Sequence, residues 1–80
     1  MAVTILFLGP LRDLAGEESR EVEGPLDWNS LIENVGPDIA EQLSSDRVNV
    51  ACKGKVLGDK SQLRAEDGDE VALLPPVSGG

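Results

Sequence analysis

Two short apolar runs at opposite ends of the chain constrain its fold more than any other feature. Val3–Leu8 reads VTILFL and Val71–Leu74 reads VALL, and runs of this length and composition are typical of buried strands. Gly9-Pro10 ends the first run. Pro75-Pro76 follows the second, and proline cannot extend a central strand. A strand is therefore predicted near each end, and the remaining elements must lie between the two.

The middle of the chain predicts one main helix, over residues 27–35. Asp27 is a good N-cap because its carboxylate can accept hydrogen bonds from the free amides of the first turn. Leu26 and Leu31 stand at the positions of a hydrophobic staple. Gly36-Pro37 breaks the helix, and the proline can start a second, shorter one. The apolar residues at helical spacing are Trp28, Leu31, Ile32 and Val35 in the first helix, and Ile39, Ala40 and Leu43 in the second.

The other elements complete an α+β pattern. A short helical turn is predicted over 11–15, closed by Gly16, and strands over 18–23, 47–52 and 55–57, with turns at Lys53-Gly54 and Asp67-Gly68. The order is strand, strand, helix, strand, strand, strand, with one helix layer against a mixed sheet. This is the order of the ubiquitin-like β-grasp fold. We expect one domain over residues 1–76 and a free tail over 77–80.

Composition limits the function to surfaces and ends. Eighty residues form one small core, which leaves no room for a deep catalytic cleft. The net charge of −8 argues against nucleic acid and anionic membranes, and favours basic surfaces of partner proteins. One cysteine cannot form an internal disulfide, which favours a reducing cytoplasm. The sequence predicts neither a signal peptide nor a transmembrane helix.

Strand alternation predicts an apolar patch on the sheet. Val3, Ile5 and Phe7 are expected to face the helix with Val71 and Leu73, against Leu31, Ile32 and Val35. The opposite face then carries four apolar residues on the two neighbouring strands: Leu6, Leu8, Ala72 and Leu74. We expect Leu8 and Leu74 to be exposed in the free protein. Patches of this kind usually mark a protein interface; scattered leucines on a solvated sheet are the alternative.

The ending PPVSGG predicts the working part of the molecule. Glycine has no Cβ, so Gly79-Gly80 can enter a narrow channel in any backbone conformation. Pro75-Pro76 stiffens the base of this tail. A carboxylate at Gly80 becomes an electrophile once it is converted to an acyl-adenylate, and a sulfur nucleophile can then replace AMP and leave a thiocarboxylate. In this interpretation the chain carries the reactive group and a surface that partners recognise, and it has no catalytic residues of its own.

Two segments carry a resemblance to a known family. The ending LLPPVSGG, preceded by Gly68-Asp69-Glu70-Val71, and the opening segment with Phe7 and residues 11–16, LRDLAG, resemble the small subunit of molybdopterin synthase. The resemblance is strongest over 67–80 and weak over 17–62. One departure lies at Cys52-Lys53-Gly54, where members often carry Val-Asn before the glycine. This departure concerns the hairpin and its partner contacts rather than the tail.

The resemblance implies a set of partners. An adenylyltransferase similar to the ubiquitin-activating enzymes would activate Gly80 using ATP and Mg, while the chain itself binds no cofactor or metal. A sulfur donor protein would supply sulfur, and the large synthase subunit would receive the tail and convert cyclic pyranopterin monophosphate to molybdopterin. Gly80 would be the residue that is adenylated and converted to a thiocarboxylate, and Gly79 would let the tail enter the narrow channel of the partner's active site. The partner interface would comprise Leu6, Leu8, Leu74, Pro75, Pro76, Val77 and Ser78.

Other functions stay open from the sequence. The chain could be a ubiquitin-like modifier, a carrier for thiamin synthesis or tRNA thiolation, or a binding module with an accidental Gly-Gly. Lys53, Lys55 and Lys60 could be attachment sites of a modifier system. Cys52 reads as a small buried hydrophobe rather than a nucleophile. The acidic run 66–70 reads as a solvated turn that lacks calcium-loop spacing. Arg12 is either a partner contact or a surface charge, and Trp28 a core residue.

Overall fold

The structure is a computed structural model that describes residues 2–45 and 47–75. In chain order its elements are β1 (Ala2–Phe7), α1 (Pro10–Ala15), β2 (Ser19–Glu23), β3 (Leu26–Asp27), α2 (Trp28–Val35), α3 (Pro37–Leu43), β4 (Asn49–Cys52), β5 (Lys55–Val56), a 3-10 helix (Lys60–Gln62), β6 (Arg64–Ala65) and β7 (Glu70–Leu74).

Five strands form one mixed sheet in the order β2-β1-β7-β4-β5. The two strands predicted from the terminal apolar runs, β1 and β7, are neighbours and run parallel, with Ile5 opposite Val71. The other pairs in this sheet are antiparallel. The predicted α+β class and the predicted order of strands and main helix are therefore confirmed. A second ladder, in which β3 pairs with β6, was not predicted.

Burial alternates along the central strands as the sequence pattern predicts. Val3, Ile5 and Phe7 on β1 are at most 1% exposed, and Val71 and Leu73 on β7 are fully buried. The first strand begins and ends one residue earlier than predicted, so Leu8 lies just after β1 rather than within it. Gly9 and Pro10 follow at once, and Pro10 opens α1.

The helix layer covers the buried face of the sheet. The main helix begins after Asp27, whose Oδ1 accepts a hydrogen bond from the Ser30 amide at 2.8 Å, and this bond lowers the pKa of Asp27. Leu31 is fully buried and Val35 is 5% exposed. Ile32, predicted to face the core with them, is only half-buried and packs at its margin. With only eight residues, α2 turns a narrow stripe inward.

The segment between β5 and β6 closes the core from the side. Its 3-10 helix begins after Asp59, whose carboxylate accepts from the Ser61 hydroxyl and amide; these bonds lower the pKa of Asp59. The half-buried Lys60 reaches the end of α3 and the loop that follows it. Its Nζ donates to three backbone carbonyls: Leu43 at 2.7 Å, Ser45 at 2.6 Å and Val48 at 2.8 Å.

Candidate functional site

An apolar row crosses the sheet face that lies away from the helices. Leu6 on β1 is opposite Ala72 on β7, Ala72 is opposite Ala51 on β4, and Ala51 is opposite Val56 on β5. Opposed residues in paired strands point to the same side of a sheet. These four side chains therefore form one continuous row. We call the side of the sheet that carries it the open face.

The predicted interface residues that the structure describes on or beside the open face differ in exposure. Leu8 is 40% exposed, as predicted, and Val56, which was not predicted, is 59% exposed. Leu6 and Ala72 are half-buried. Leu74 was predicted to be exposed like Leu8, but it too is only half-buried. It lies opposite Asn49 of β4, so a paired strand flanks it on that side and reduces its exposure.

Acidic residues occupy the other end of the open face. Thr4 on β1 is opposite Glu21 on one side and Glu70 on the other, and Ala2 is opposite Glu23. All three glutamates are exposed. The face is therefore apolar near the ends of β1 and β7 and negatively charged near their beginnings. A partner complementary to it would present apolar side chains at one end and basic ones at the other.

The predicted tail begins at the central strand of the five-stranded sheet. β7 pairs with β1 on one side and β4 on the other, and Pro75 follows its last residue. Gly9 lies against this point: a Cβ built on it would stand 3.1 Å from Pro75 Cγ, and its φ is +56°. The left-handed φ favours glycine at this position, and a side chain there would also be in tight contact with the ring of Pro75. The remaining tail residues (Pro76, Val77, Ser78, Gly79 and Gly80) lie outside the described residues.

Cys52 has the environment of a structural residue. It is 8% exposed, on the core face of β4 opposite Val71, and burial raises the pKa of its thiol. A reactive cysteine needs a lowered pKa and access to solvent. The interpretation of Cys52 as a small buried hydrophobe is therefore confirmed.

The acidic run 66–70 is organised as a turn. Asp69 Oδ2 accepts from the Glu66 amide at 2.7 Å and lies 3.6 Å from Lys53 Nζ. Lys53 has a φ of +56° and Gly54 a φ of +80°, the left-handed values of a tight hairpin turn. Nowhere among the described residues do three Cys, Asp or Glu side chains come close enough to hold a metal ion.

The remaining charged candidates differ in availability. Arg12 is largely exposed and lies 3.5 Å from Glu18, which leaves both of its interpretations open. Of the three lysines, Lys60 is committed to its three carbonyls and Lys53 is paired with Asp69, whereas Lys55 is exposed on β5. Trp28 packs against the core cluster as predicted. No helix in the described part of the chain is long and apolar enough to cross a bilayer.

Comparison with known proteins identifies relatives along the whole chain. The chain is 34% identical over 85 aligned positions to the molybdopterin synthase sulfur carrier subunit of Escherichia coli (strain K12), with 98% of this chain and 99% of that protein covered. The crystal structure of SAMP1 from Haloferax volcanii superposes with a TM-score of 0.71 at 25% identity, with both chains fully covered.

A third relative comes from a complex. A chain in the complex of subunits 1 and 2 of the molybdopterin-converting factor from Helicobacter pylori 26695 superposes with a TM-score of 0.68 at 28% identity, again over all of both chains. These likenesses confirm the ubiquitin-like β-grasp fold and the resemblance to molybdopterin synthase small subunits. The family model described as the ThiS family matches residues 5–80. Since this match spans nearly the whole chain, the protein belongs to the ThiS family.

Proposed function

We propose that the chain is the sulfur-carrier small subunit of molybdopterin synthase. The observation that carries the proposal is the position of Pro75: the tail starts from a central strand and from the apolar end of the open face. A tail that presents Gly80 to partner enzymes needs a rigid attachment point and a recognition surface beside it. The central strand β7 and the apolar end of the open face supply both at Pro75. The similarity to the Escherichia coli carrier subunit supports the same assignment.

The proposed chemistry takes place at the Gly80 carboxylate, in the active sites of partners. One carboxylate oxygen attacks the α-phosphate of ATP in an activating enzyme that also holds Mg, and pyrophosphate leaves. A persulfide sulfur of a donor protein then attacks the carbonyl carbon of the adenylate and AMP leaves. A thiol cleaves the resulting acyl disulfide, which releases the thiocarboxylate and forms a disulfide with the donor sulfur. The thiocarboxylate donates its sulfur to cyclic pyranopterin monophosphate in the large subunit, and water cleaves the acyl–sulfur bond and restores the Gly80 carboxylate. Gly79 lets the tail pass through the narrow entrance of each site.

The open face is the proposed docking surface for the large subunit. Its apolar end, with Leu6, Leu8 and Leu74, lies beside the start of the tail. Apolar contact there would exclude water from the channel entrance, and the acidic end would select a basic surface on the partner. The related chain from Helicobacter pylori was solved in complex with subunit 2, which supports a partner of this kind.

A reconstitution assay tests the proposal. The full chain is combined with the cognate activating enzyme, ATP, a sulfur source, the large subunit and cyclic pyranopterin monophosphate, and molybdopterin is measured. Deleting Gly80 withdraws the carboxylate by about 3.3–3.6 Å, whereas reacting atoms must lie within about 3–3.5 Å. Product formation should fall by orders of magnitude. Adding one residue after Gly80 should also abolish it, because the carboxylate overshoots.

Two further variants separate tail length from tail shape. Gly79→Val keeps the length but blocks the channel with a β-branched side chain, so it should be nearly as damaging as the deletion. Ser78→Ala keeps the length and introduces no β-branched side chain, and it should retain most activity. A Gly80 deletion that makes molybdopterin at the normal rate would overturn the carrier assignment and favour a plain binding module.

A protein modifier is the second candidate function. The full-length likeness to SAMP1, a small archaeal modifier protein, favours it. In that case Gly80 would form isopeptide bonds with lysines of other proteins, and the two functions could coexist. Mass spectrometry of tryptic peptides decides between the two functions. Arg64 is the last basic residue of the chain, so trypsin would leave residues 65–80 as a branch on each modified lysine. Such branched peptides, absent when Gly80 is deleted, would establish the modifier function.

A further inference from the structure

Leu14 is a large exposed apolar side chain that the open face does not explain. It is 48% exposed on α1, and α1 packs against α3, on the helix side of the sheet. Between α1 and α3 lies a groove of about 420 Å³, a size in the range of sites that hold a small apolar group. Its walls include Leu14, Pro10, Val48 and Pro75. We call it the α1–α3 groove.

The walls of the α1–α3 groove are held in place. Val48 is 1% exposed, and its carbonyl accepts from Lys60 Nζ at 2.8 Å. The same ammonium binds the carbonyl of Leu43 at the end of α3. On the other side, Gly9 brings the start of α1 against Pro75. A preformed groove costs little ordering entropy when a side chain enters it.

The tail is short, so a partner that binds it must lie close to this groove. Five residues follow Pro75 and span at most about 17 Å when fully extended. Part of that reach must lie inside the partner's active site, so the two protein bodies must touch around Pro75. Pro75 forms one wall of the α1–α3 groove and also adjoins the apolar end of the open face. A partner that contacts the open face around Pro75 is therefore within reach of the groove.

A negative charge at the edge of the α1–α3 groove indicates which kind of side chain would bind there. Asp13, which is exposed on α1, lines the groove, and the chain carries a net charge of −8. We propose that the α1–α3 groove receives one apolar side chain, flanked by Lys or Arg, from the large synthase subunit. This inference rests on the proposed function. The large subunit would then contact both the open face and the groove. Contacts on two sides of Pro75 would fix the direction in which the tail leaves the domain.

Binding of the purified large subunit to the full chain, measured by isothermal titration calorimetry, tests the proposal. Leu14→Gln keeps side-chain size and helix propensity but removes the apolar contact. The dissociation constant should rise about tenfold, equivalent to about 1.4 kcal/mol, while the thermal midpoint of the free chain stays unchanged. Equal affinities for the wild type and Leu14→Gln would overturn the groove and leave the proposed function standing. A wild-type chain that does not bind at all would overturn both.

A charge-reversed pair tests the flanking basic residues. Asp13→Lys and Glu33→Lys make the same change in net charge at exposed positions, the first at the groove and the second on α2. In 0.1 M salt, Asp13→Lys should weaken binding several-fold more than Glu33→Lys. The difference should shrink in 1 M salt, where the Debye length falls from about 10 Å to about 3 Å. Equal weakening by both variants would contradict a basic partner segment at this groove.

Discussion

Lys60 should be the most important charged residue for the stability of this fold. Its ammonium donates to three backbone carbonyls at 2.6–2.8 Å, from Leu43, Ser45 and Val48. The end of α3 and the loop that follows it are thereby tied to the 3-10 helix. Lys60→Met removes the charge and all three donors while it keeps a flexible apolar chain of similar length.

The magnitude follows from the hydrogen bonds. A hydrogen bond to a charged group contributes about 1.5–3 kcal/mol to stability. Three bonds to one half-buried ammonium do not add in full, because water can reach the freed carbonyls. We expect a loss of about 2–3 kcal/mol from a domain whose total stability should be about 4–12 kcal/mol. The melting temperature should fall by about 10–20 °C.

Lys55→Met is the matched control, since Lys55 is exposed on an edge strand. Surface changes of this kind usually alter stability by less than about 0.5 kcal/mol. Both variants are compared with the wild type by urea unfolding followed by circular dichroism. Equal midpoints for Lys60→Met and Lys55→Met would refute the argument that the three carbonyl contacts stabilise the fold.

Three further predictions follow from the same structure. Gly16→Ala should destabilise the protein by about 1 kcal/mol because Gly16 ends α1 with a φ of +77°, whereas Gly58→Ala should be nearly neutral in the same thermal melts. Burial raises the pKa of the Cys52 thiol above its unfolded value of about 9. The stability that the neutral thiol contributes is therefore complete below the unfolded pKa and is lost as pH rises through the folded pKa. Unfolding curves of Cys52→Ala should lack this part of the stability loss at alkaline pH. Leu8→Glu should weaken binding to the large subunit without lowering the melting temperature, and unchanged affinity would remove this end of the open face from the interface.

The elements that the sequence predicts best are those specified by neighbouring residues. Alternation and a terminal proline are enough for β1 and β7, and Asp27 with the helical spacing after it is enough for α2. Proline and glycine mark α1 and α3. In each case the signal lies within a few residues of the element, where local sterics and capping decide the structure.

The features that the sequence misses depend on contacts far apart in the chain. β3 and β6 have two residues each, too few to show a period. Lys60 finds carbonyls 12 to 17 residues away, and nothing beside it in sequence signals this. The half-burial of Leu74 depends on the pairing of β7 with β4, and the significance of Leu14 depends on α3 and Pro75, which close a groove beside it.

The central claim is that Gly80 carries sulfur, and intact mass spectrometry tests it most directly. The full chain is purified after expression with its cognate activating enzyme and sulfur donor, beside the Gly80 deletion as control. We predict that the wild type gains the mass difference between sulfur and oxygen, that fragmentation places this gain on Gly80, and that the deletion variant shows no gain. A wild-type chain with an unmodified carboxylate under conditions in which the activating enzyme is active would contradict the claim.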